Sequence, residues 1–238
     1  MSDPHDTPQA PPAGAAIPLF SRAAWVRIIP FLIYIFFIVA VDVLGRLGFA
    51  PDSLRWMYAV KVGAVLLMLI IFWREYTELH TWRVSPIWTL ASIAVGLLVF
   101  VLWIKLDAGW MLIGQPEGFN PTTAGQIDWL MVAVRIAGAA LIVPVMEELF
   151  WRSFLMRWLD SSDFLAVSPA AVTLRSMAIG AVLFGFEHNL WLAGIVAGIA
   201  YSFVYMRQCT LWSAILAHAV TNGILGLWIV RTSNWTYW

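Results

Sequence analysis

Long apolar runs separated by short polar joints make up most of the chain after residue 25. The runs cover residues 26–45, 56–73, 86–106, 129–158, 174–187, 190–206 and 211–230. Because a helix needs about 20 residues to cross the hydrocarbon of a bilayer, this pattern predicts an all-α membrane bundle of seven to eight transmembrane helices. The two shortest runs meet at GFEHN, which is typical of helices that end in a buried polar cavity rather than in lipid.

The composition agrees with a protein of the lipid bilayer. Hydrophobic residues make up 61% of the 238 residues and charged residues only 12%, whereas soluble domains are about one quarter charged. Fourteen basic and fourteen acidic side chains cancel, so no net charge favours a nucleic-acid partner, and we expect none.

The first 20 residues, MSDPHDTPQAPPAGAAIPLF, are rich in Pro and Ala and lack the basic start and apolar core of a signal peptide. They predict a disordered cytoplasmic tail. No later joint is long enough to separate two domains. We therefore expect a single membrane domain, with N-terminal transmembrane helices in residues 21–128 and a core in residues 129–232.

Basic residues indicate the orientation, because Lys and Arg beside short loops are retained in the cytoplasm. The joints on the side of the N-terminus contain seven of them: Arg22, Arg27, Arg74, Arg83, Arg157, Arg175 and Arg207. The joints on the other side contain four: Arg46, Arg55, Lys105 and Arg231. This bias predicts a multi-pass protein of the cell inner membrane with a cytoplasmic N-terminus.

Two adjacent carboxylates, Glu147 and Glu148, lie within the apolar stretch PVMEELFWRSFLMRW at residues 144–158. Arg135 and Arg157 are 22 residues apart, about 33 Å of helix, so their heads are predicted to lie at opposite interfaces with Glu147 near the middle. A carboxylate at that depth is costly unless it is paired or hydrated, so a functional role is the first hypothesis.

Helical spacing separates the roles of the two acids. Glu148 and Arg152 are four residues apart on one face and form a favourable pair, while Glu147 points about 100° away and is left without a partner. Pro144 removes a backbone hydrogen bond and is expected to kink the helix beside them. The alternative interpretation is a purely structural ion pair of Glu147, Glu148 and Arg152 at a helix end.

Two histidines also lie in apolar runs, His188 in LFGFEHN and His218 in LAHAVTNG. Phe184 precedes the first by four residues and Asn222 follows the second by four, so each pair shares a helix face. A single histidine among apolar residues is commonly a hydrogen-bonded core residue. Here, however, a rise of 1.5 Å per residue places both histidine sites and the glutamates roughly 10 to 20 Å deep, where they could share one cavity.

These three segments resemble the motifs of one family. EELFWR is similar to the E-E-x-x-x-R motif of the CAAX-processing and bacteriocin-processing intramembrane proteases, FGFEH to their F-x-x-x-H motif and HAVTN to their H-x-x-x-N motif. All three occur in the family's order in successive apolar runs, which makes the combination specific. The resemblance covers about residues 129–230, and residues 1–128 match only in being helical and apolar. EELFWRSFLMRW is also similar to the exosortase-associated subgroup, which implies a link to an exosortase sorting system.

The resemblance implies a CAAX-type intramembrane endopeptidase with its catalytic core in residues 129–232 and its site open toward the cytosol. Glu147 is then the general base that activates water together with His188, while His218 and Asn222 stabilise the oxyanion. The other acid of the first motif and its arginine support them. The implied substrate is a membrane-associated protein or peptide that is cleaved near its C-terminus.

Two versions of this mechanism are possible, one that uses a metal ion and one that does not. Glu147, His188 and His218 would suit a catalytic zinc, and the family has been described both as metalloproteases and as glutamate proteases. The chain has no H-E-x-x-H motif and no third histidine in an apolar run. We therefore expect a metal-independent mechanism, with zinc as the alternative.

Two non-enzymatic hypotheses compete with proteolysis. The family is also linked to bacteriocin self-immunity, so a protein of this fold could be a membrane binding partner or scaffold whose polar cluster is structural. A proton-coupled transporter would explain Glu147 but neither the histidines nor Asn222.

Overall fold

The computed structural model describes residues 20–114, 118–123 and 125–238. Almost all of the predicted disordered tail therefore lies outside the described residues. Within the described ranges the chain is helical apart from loops and one hairpin, in which Thr122–Thr123 pairs antiparallel with Gln126–Ile127. This architecture confirms the predicted all-α membrane bundle.

Seven helices form the described bundle, and each coincides with one of the predicted apolar runs. They are α1 (Arg22–Arg46), α2 (Met57–Ile71), α3 (Pro86–Trp103), α4 (Trp129–Trp158), α5 (Leu174–Phe186), α6 (Trp191–Gln208) and α7 (Leu211–Thr232). A one-turn helix, Pro51–Leu54, precedes α2.

Five of these helices, α1, α2 with the residues before it from Asp52, α3, α4 and α7, are long and apolar enough to cross a membrane. The remaining two have 13 residues in α5 and 18 in α6. As the sequence predicts, these two meet at a polar loop, residues 187–190. The total of seven to eight spans stays a prediction, because length and composition support five within the described part of the chain.

The helix α4 departs from regular geometry on both sides of the adjacent glutamates. Two π-helical stretches, Gly138–Ile142 and Leu149–Leu155, flank the α-helical segment Val143–Glu148. Pro144 lies just after the first stretch and has no N–H to donate, so the backbone hydrogen bonds change register where the sequence predicts a kink. Such π-helical turns are frequent at functional sites.

Helices α5 and α6 pack with their backbones in close approach. A Cβ added to Gly194 would lie 2.8 Å from the Cα of Gly185, and one added to Gly198 would lie 2.9 Å from the Cα of Ala181. Only glycine fits at these two positions without moving the neighbouring backbone. The small residues of α6 at these positions therefore serve helix packing.

Contacts between the joints define two ends of the bundle. At the N-terminal end, Arg22 Nη2 at the start of α1 lies 2.7 Å from Glu75 Oε1, just after α2. At the opposite end, which we call the C-terminal end, Tyr237 Oη donates to Asp107 Oδ2 at 2.9 Å. At the same end, Phe119 N donates to the Trp235 carbonyl at 3.2 Å and so connects two segments by a backbone hydrogen bond.

A buried charge network stabilises the N-terminal end. Arg27 is fully buried and donates to Glu78 Oε2 at 2.6 Å and to Ser153 Oγ at 3.0 Å. Arg157 Nη2 donates to the same Ser153 Oγ at 2.8 Å, and its side chain is only 8% exposed. The Arg157 guanidinium thus folds back onto its own helix at the N-terminal end of the bundle.

Candidate active site

A cavity of about 660 Å³ lies among the helices, and all three motifs meet at it. Four of the six residues predicted for the site line it: Glu147 of α4, His188 after α5, and His218 and Asn222 of α7. The other two, Glu148 and Arg152, lie behind its wall, where Glu148 contacts both Arg152 and His218. The structure thus brings the six residues together.

The two adjacent glutamates have different surroundings, as their helical spacing predicts. Glu148 is fully buried, and its Oε1 accepts from Arg152 Nη1 at 3.0 Å and from His218 Nδ1 at 2.9 Å. Glu147 is 3% exposed, and its buried Oε2 has no hydrogen-bond partner among the described residues. Its nearest charged or titratable neighbour of opposite sign is His218, whose Nε2 lies 4.0 Å from that oxygen.

A buried carboxylate oxygen without a donor is unfavourable for folding. Glu148 Oε2 is likewise buried without a hydrogen-bond partner, but Glu148 Oε1 accepts from two charged or polar donors. Glu147 instead borders a cavity that is large enough to admit water and a peptide. This position is what general-base chemistry requires, because the carboxylate is held ready to accept a proton from a water molecule.

Hydrogen bonds fix the tautomers of both histidines. His188 Nδ1 lies 2.8 Å from the Phe184 carbonyl, which only accepts, so the ring donates there and its Nε2 is a free acceptor when the ring is neutral. His218 Nδ1 donates in the same way to Glu148, and its Nε2 is directed toward Glu147. Each imidazole therefore uses Nδ1 as an anchor and offers Nε2 to the cavity.

Arg152 is held by partners from three helices. Besides Glu148, its guanidinium donates through Nη2 to the Gly198 carbonyl of α6 at 3.2 Å. Its Cζ also lies 4.6 Å from the ring centre of Phe184, and that ring lies 4.7 Å from the His188 ring. Phe184, the first residue of the F-x-x-x-H motif, thus packs between the arginine of the first motif and the histidine of the second.

Asn222 is attached to α4 where the helix changes register. In the π-helical stretch Val143 N donates to Gly138 O, five residues earlier, and Pro144 has no N–H to continue the pattern to Ala139. Asn222 Nδ2 fills that role by donating to the Ala139 carbonyl at 2.9 Å. One amide proton of Asn222 and its carbonyl oxygen are left for the cavity.

Other polar side chains of the cavity are not among those that the sequence analysis selected. They include Tyr34, Tyr58, Lys61, Arg135, Glu187, Tyr201 and Tyr237. Glu187 Oε2 accepts from Trp151 Nε1 at 3.2 Å. Lys61 interrupts the apolar run 56–73, and a charged residue inside such a run is by itself a reason to suspect function.

Arg135 also lines this cavity. Its Cζ is 4.5 Å from the ring centre of Tyr58 and 4.3 Å from that of Phe119. That Arg135 and Arg157 lie at opposite membrane interfaces stays a prediction. Tyr237 lies outside the membrane-spanning helices. Burial and the hydrogen bond to Asp107 raise the pKa of Tyr237 to about 12, so this phenol is neutral at physiological pH.

The cavity extends to the C-terminal end of the bundle. Asp107, Gly118 and Trp238 line it, and all three belong to joints at that end. A cytoplasmic N-terminus therefore places the mouth on the non-cytoplasmic side. The predicted orientation and the cytosolic opening implied by the family resemblance exclude each other.

The described residues contain no group of three His, Cys, Asp or Glu side chains arranged to hold a metal ion. Of the alternative zinc set, Glu147 and His218 approach each other at 4.0 Å, whereas His188 is anchored separately to Phe184. A catalytic zinc needs three protein ligands about 2 Å from one point, and the described residues contain no group of three so arranged. We therefore derive no step through zinc.

Comparison with known proteins agrees with this placement of the motifs. Residues 129–224 match the family model described as type II CAAX prenyl endopeptidase Rce1-like, over fewer than half of the 238 residues. No curated protein and no solved structure gives a match. The matched residues contain all three motifs, which confirms the resemblance drawn from them.

Proposed function

We propose that the protein is an intramembrane endopeptidase that hydrolyses a peptide bond with a water molecule activated by Glu147. The observation that carries this proposal is the contrast between the two buried glutamates. Oε2 of both acids is buried without a hydrogen-bond partner, but Glu148 Oε1 is bonded to Arg152 and His218. Only Glu147 lines the cavity, and its Oε2 lies 4.0 Å from His218 Nε2. The family match supports a protease, and the identity of the base is our inference.

In this mechanism Glu147 takes a proton from water as the water oxygen attacks the carbonyl carbon of the substrate. His188 Nε2, free because Nδ1 is bonded to the Phe184 carbonyl, accepts a second hydrogen bond from the same water and orients it. The proton held by Glu147 then passes to the amide nitrogen as the carbon–nitrogen bond breaks. The products are a carboxylic acid and an amine, so water is the only co-reactant.

The oxyanion of the intermediate needs donors that are already in place. His218 donates from Nε2 in its doubly protonated form, in which Nδ1 still donates to Glu148 at 2.9 Å. Asn222 contributes its remaining amide proton, since the other is held by the Ala139 carbonyl. Arg152 holds the Glu148 carboxylate in position at 3.0 Å.

For the cellular setting we propose a multi-pass protein of the inner membrane with a cytoplasmic N-terminus, following the seven-to-four bias of basic residues. The cavity mouth then faces the non-cytoplasmic side. The substrate proposed is a membrane-associated protein cleaved near its C-terminus, and the sorting segment of an exosortase system is one such substrate. We propose no step through a metal ion.

The test compares the C-termini of membrane proteins, by mass spectrometry, between cells with the wild-type chain and cells with Glu147→Gln. Truncated C-termini should be present in the wild type and replaced by full-length ones in the variant. Asp42→Asn is the matched control, because it removes an exposed carboxylate of α1 and should leave the C-termini as in the wild type. Identical C-termini in all three strains, with equal protein levels, would favour the scaffold hypothesis instead.

A further inference from the structure

We propose that Lys61 and Arg135 form an anion-binding subsite that holds the C-terminal carboxylate of the peptide substrate. This inference rests on the proposed function, because it assigns a specificity role to the same cavity. Both side chains line that cavity together with Glu147. Neither belongs to the three sequence motifs, and Lys61 lies outside the matched residues 129–224.

The positive charges at this cavity are not compensated equally. Arg152, behind the wall, is paired with Glu148 at 3.0 Å. For Lys61 and Arg135, no carboxylate among the described residues lies within 4.0 Å. Two cations that remain uncompensated inside a membrane bundle are costly, so such residues commonly mark the place where a charged ligand binds.

Both cations contact the ring of Tyr58. Lys61 Nζ lies 3.9 Å from the ring centre of Tyr34 and 5.1 Å from that of Tyr58. Arg135 Cζ lies 4.5 Å from the same Tyr58 ring, so one ring supports both charges. Cation–π contacts stabilise the positions of the cations but add no negative charge, and the charges stay available to an anion.

The packing of α2 against α4 makes this arrangement rigid. Tyr58 Oη donates to the Arg135 carbonyl at 3.2 Å. A Cβ added to Gly138, one turn after Arg135, would lie 2.8 Å from that hydroxyl and 2.9 Å from Val62 Cγ1. The two helices therefore touch at the level of the subsite, and the cations are held in place before a ligand binds.

A peptide carboxylate is the anion that this site fits best. Arginine binds a carboxylate through two parallel N–H groups, and a lysine beside it adds a point charge. Arg135 precedes Glu147 by 12 residues on α4, or about 18 Å of helix. An extended peptide covers that distance in about five residues, so an anchored C-terminus would place the cleaved bond at most about five residues from the end.

The test measures binding to the full-length Glu147→Gln chain, so that no turnover is required. The probes are two lipid-anchored apolar peptides of identical sequence, one with a free C-terminal carboxylate and one with a C-terminal amide. The carboxylate should bind roughly 10- to 100-fold more tightly than the amide, the usual contribution of charge-assisted hydrogen bonds. Equal binding of the two peptides would overturn the proposal without any further variant.

Variants then assign the preference to the two cations. Lys61→Met and Arg135→Gln, each added to the Glu147→Gln chain, should reduce the carboxylate preference to near unity. Arg46→Gln, which removes an exposed arginine at the end of α1, should keep it. A preference that persists in both cation variants, confirmed as folded by thermal melting, would overturn the assignment.

Further outcomes distinguish this subsite from a lipid-binding site and test it separately from the proposed function. If phosphatidylglycerol vesicles displace the carboxylate peptide while neutral phosphatidylcholine vesicles do not, the subsite holds a lipid phosphate, and the proposal is wrong. If the wild-type chain shows the carboxylate preference but cleaves no peptide, the subsite stands and the proposed function fails. If the wild-type chain cleaves both peptides and binds them with equal affinity, the proposed function stands and the subsite fails.

Discussion

Glutamine in place of Glu148 should destabilise the protein far more than glutamine in place of Glu147, although the two residues are adjacent and similarly buried. The exposed fractions are 0% for Glu148 and 3% for Glu147, so burial does not distinguish them. Their partners do. Oε2 of both acids lacks a hydrogen-bond partner in the part of the chain that the structure describes, but Glu148 Oε1 bonds to Arg152 and His218, whereas the nearest imidazole nitrogen to Glu147 Oε2 is 4.0 Å away.

The magnitude follows from what each substitution leaves behind. Glu148→Gln leaves the guanidinium of Arg152, 1% exposed, with the Gly198 carbonyl at 3.2 Å and no counter-charge. Breaking one partner of a buried ion pair costs about 3 to 5 kcal/mol. Glu147→Gln removes a charge whose nearest imidazole nitrogen is 4.0 Å away, so we expect a change of less than about 1 kcal/mol, of either sign.

Thermal unfolding of the purified protein in detergent measures both effects. For a chain of this size, 1 kcal/mol corresponds to about 2 to 4 °C in Tm, so Glu148→Gln should lower Tm by about 6 to 20 °C. Glu147→Gln should stay within about 4 °C of the wild type while activity falls by a factor of about 10² to 10⁴, as for loss of a general base. Similar decreases in Tm for both variants would refute this reasoning, because Glu147 would then be a structural residue as well.

Three further results are expected. Burial raises the pKa of Glu78, but the bonds to Arg27 outweigh burial and hold that pKa below its ordinary value. The ionised Glu78 therefore stabilises the fold above about pH 4.3, and this stabilisation is lost as the pH falls through the lowered pKa. Thermal melting curves of Glu78→Gln at acid pH should lack that loss. Exhaustive zinc chelation should leave peptide cleavage intact, and activity that returned with stoichiometric zinc would contradict the proposed mechanism. Gly198→Ala should lower stability by about 1 to 3 kcal/mol, because its Cβ would meet Ala181, whereas Gly63→Ala, with open space around it, should raise Tm slightly.

The helices were predictable because their cause is local. Each apolar run reflects what a helix in lipid requires of its own residues, and all seven described helices fall on such runs. The pairing of Glu148 with Arg152 was predictable for the same reason, since four residues along a helix place both side chains on one face. The close approach of α6 to α5 at Gly194 and Gly198 likewise follows from spacing alone.

Contacts between distant segments were not predictable in this way. Glu148 meets His218 across 70 residues, a bond that gives the acid a second role and sets the tautomer of the histidine. Arg135 was assigned to an interface from its distance to Arg157, but the direction of its side chain depends on Tyr58 and Phe119 from other parts of the chain. The motifs identified one wall of the cavity, and the opposite wall came from helices without any motif.

The positions of the charges along the cavity also restrict how a substrate enters it. The cations of the proposed subsite include Arg135, which lies nearer the C-terminal end of the bundle, and Glu147 lies about 18 Å further along α4. A substrate with its carboxylate at the cations therefore has its cleaved bond deeper and its membrane-anchored part deeper still, or to the side. Ile38 of α1 lines the cavity and is 45% exposed. If the substrate enters past this residue, its anchored part stays at α1 while the C-terminal end of the cavity gives the short cleaved peptide a path to water.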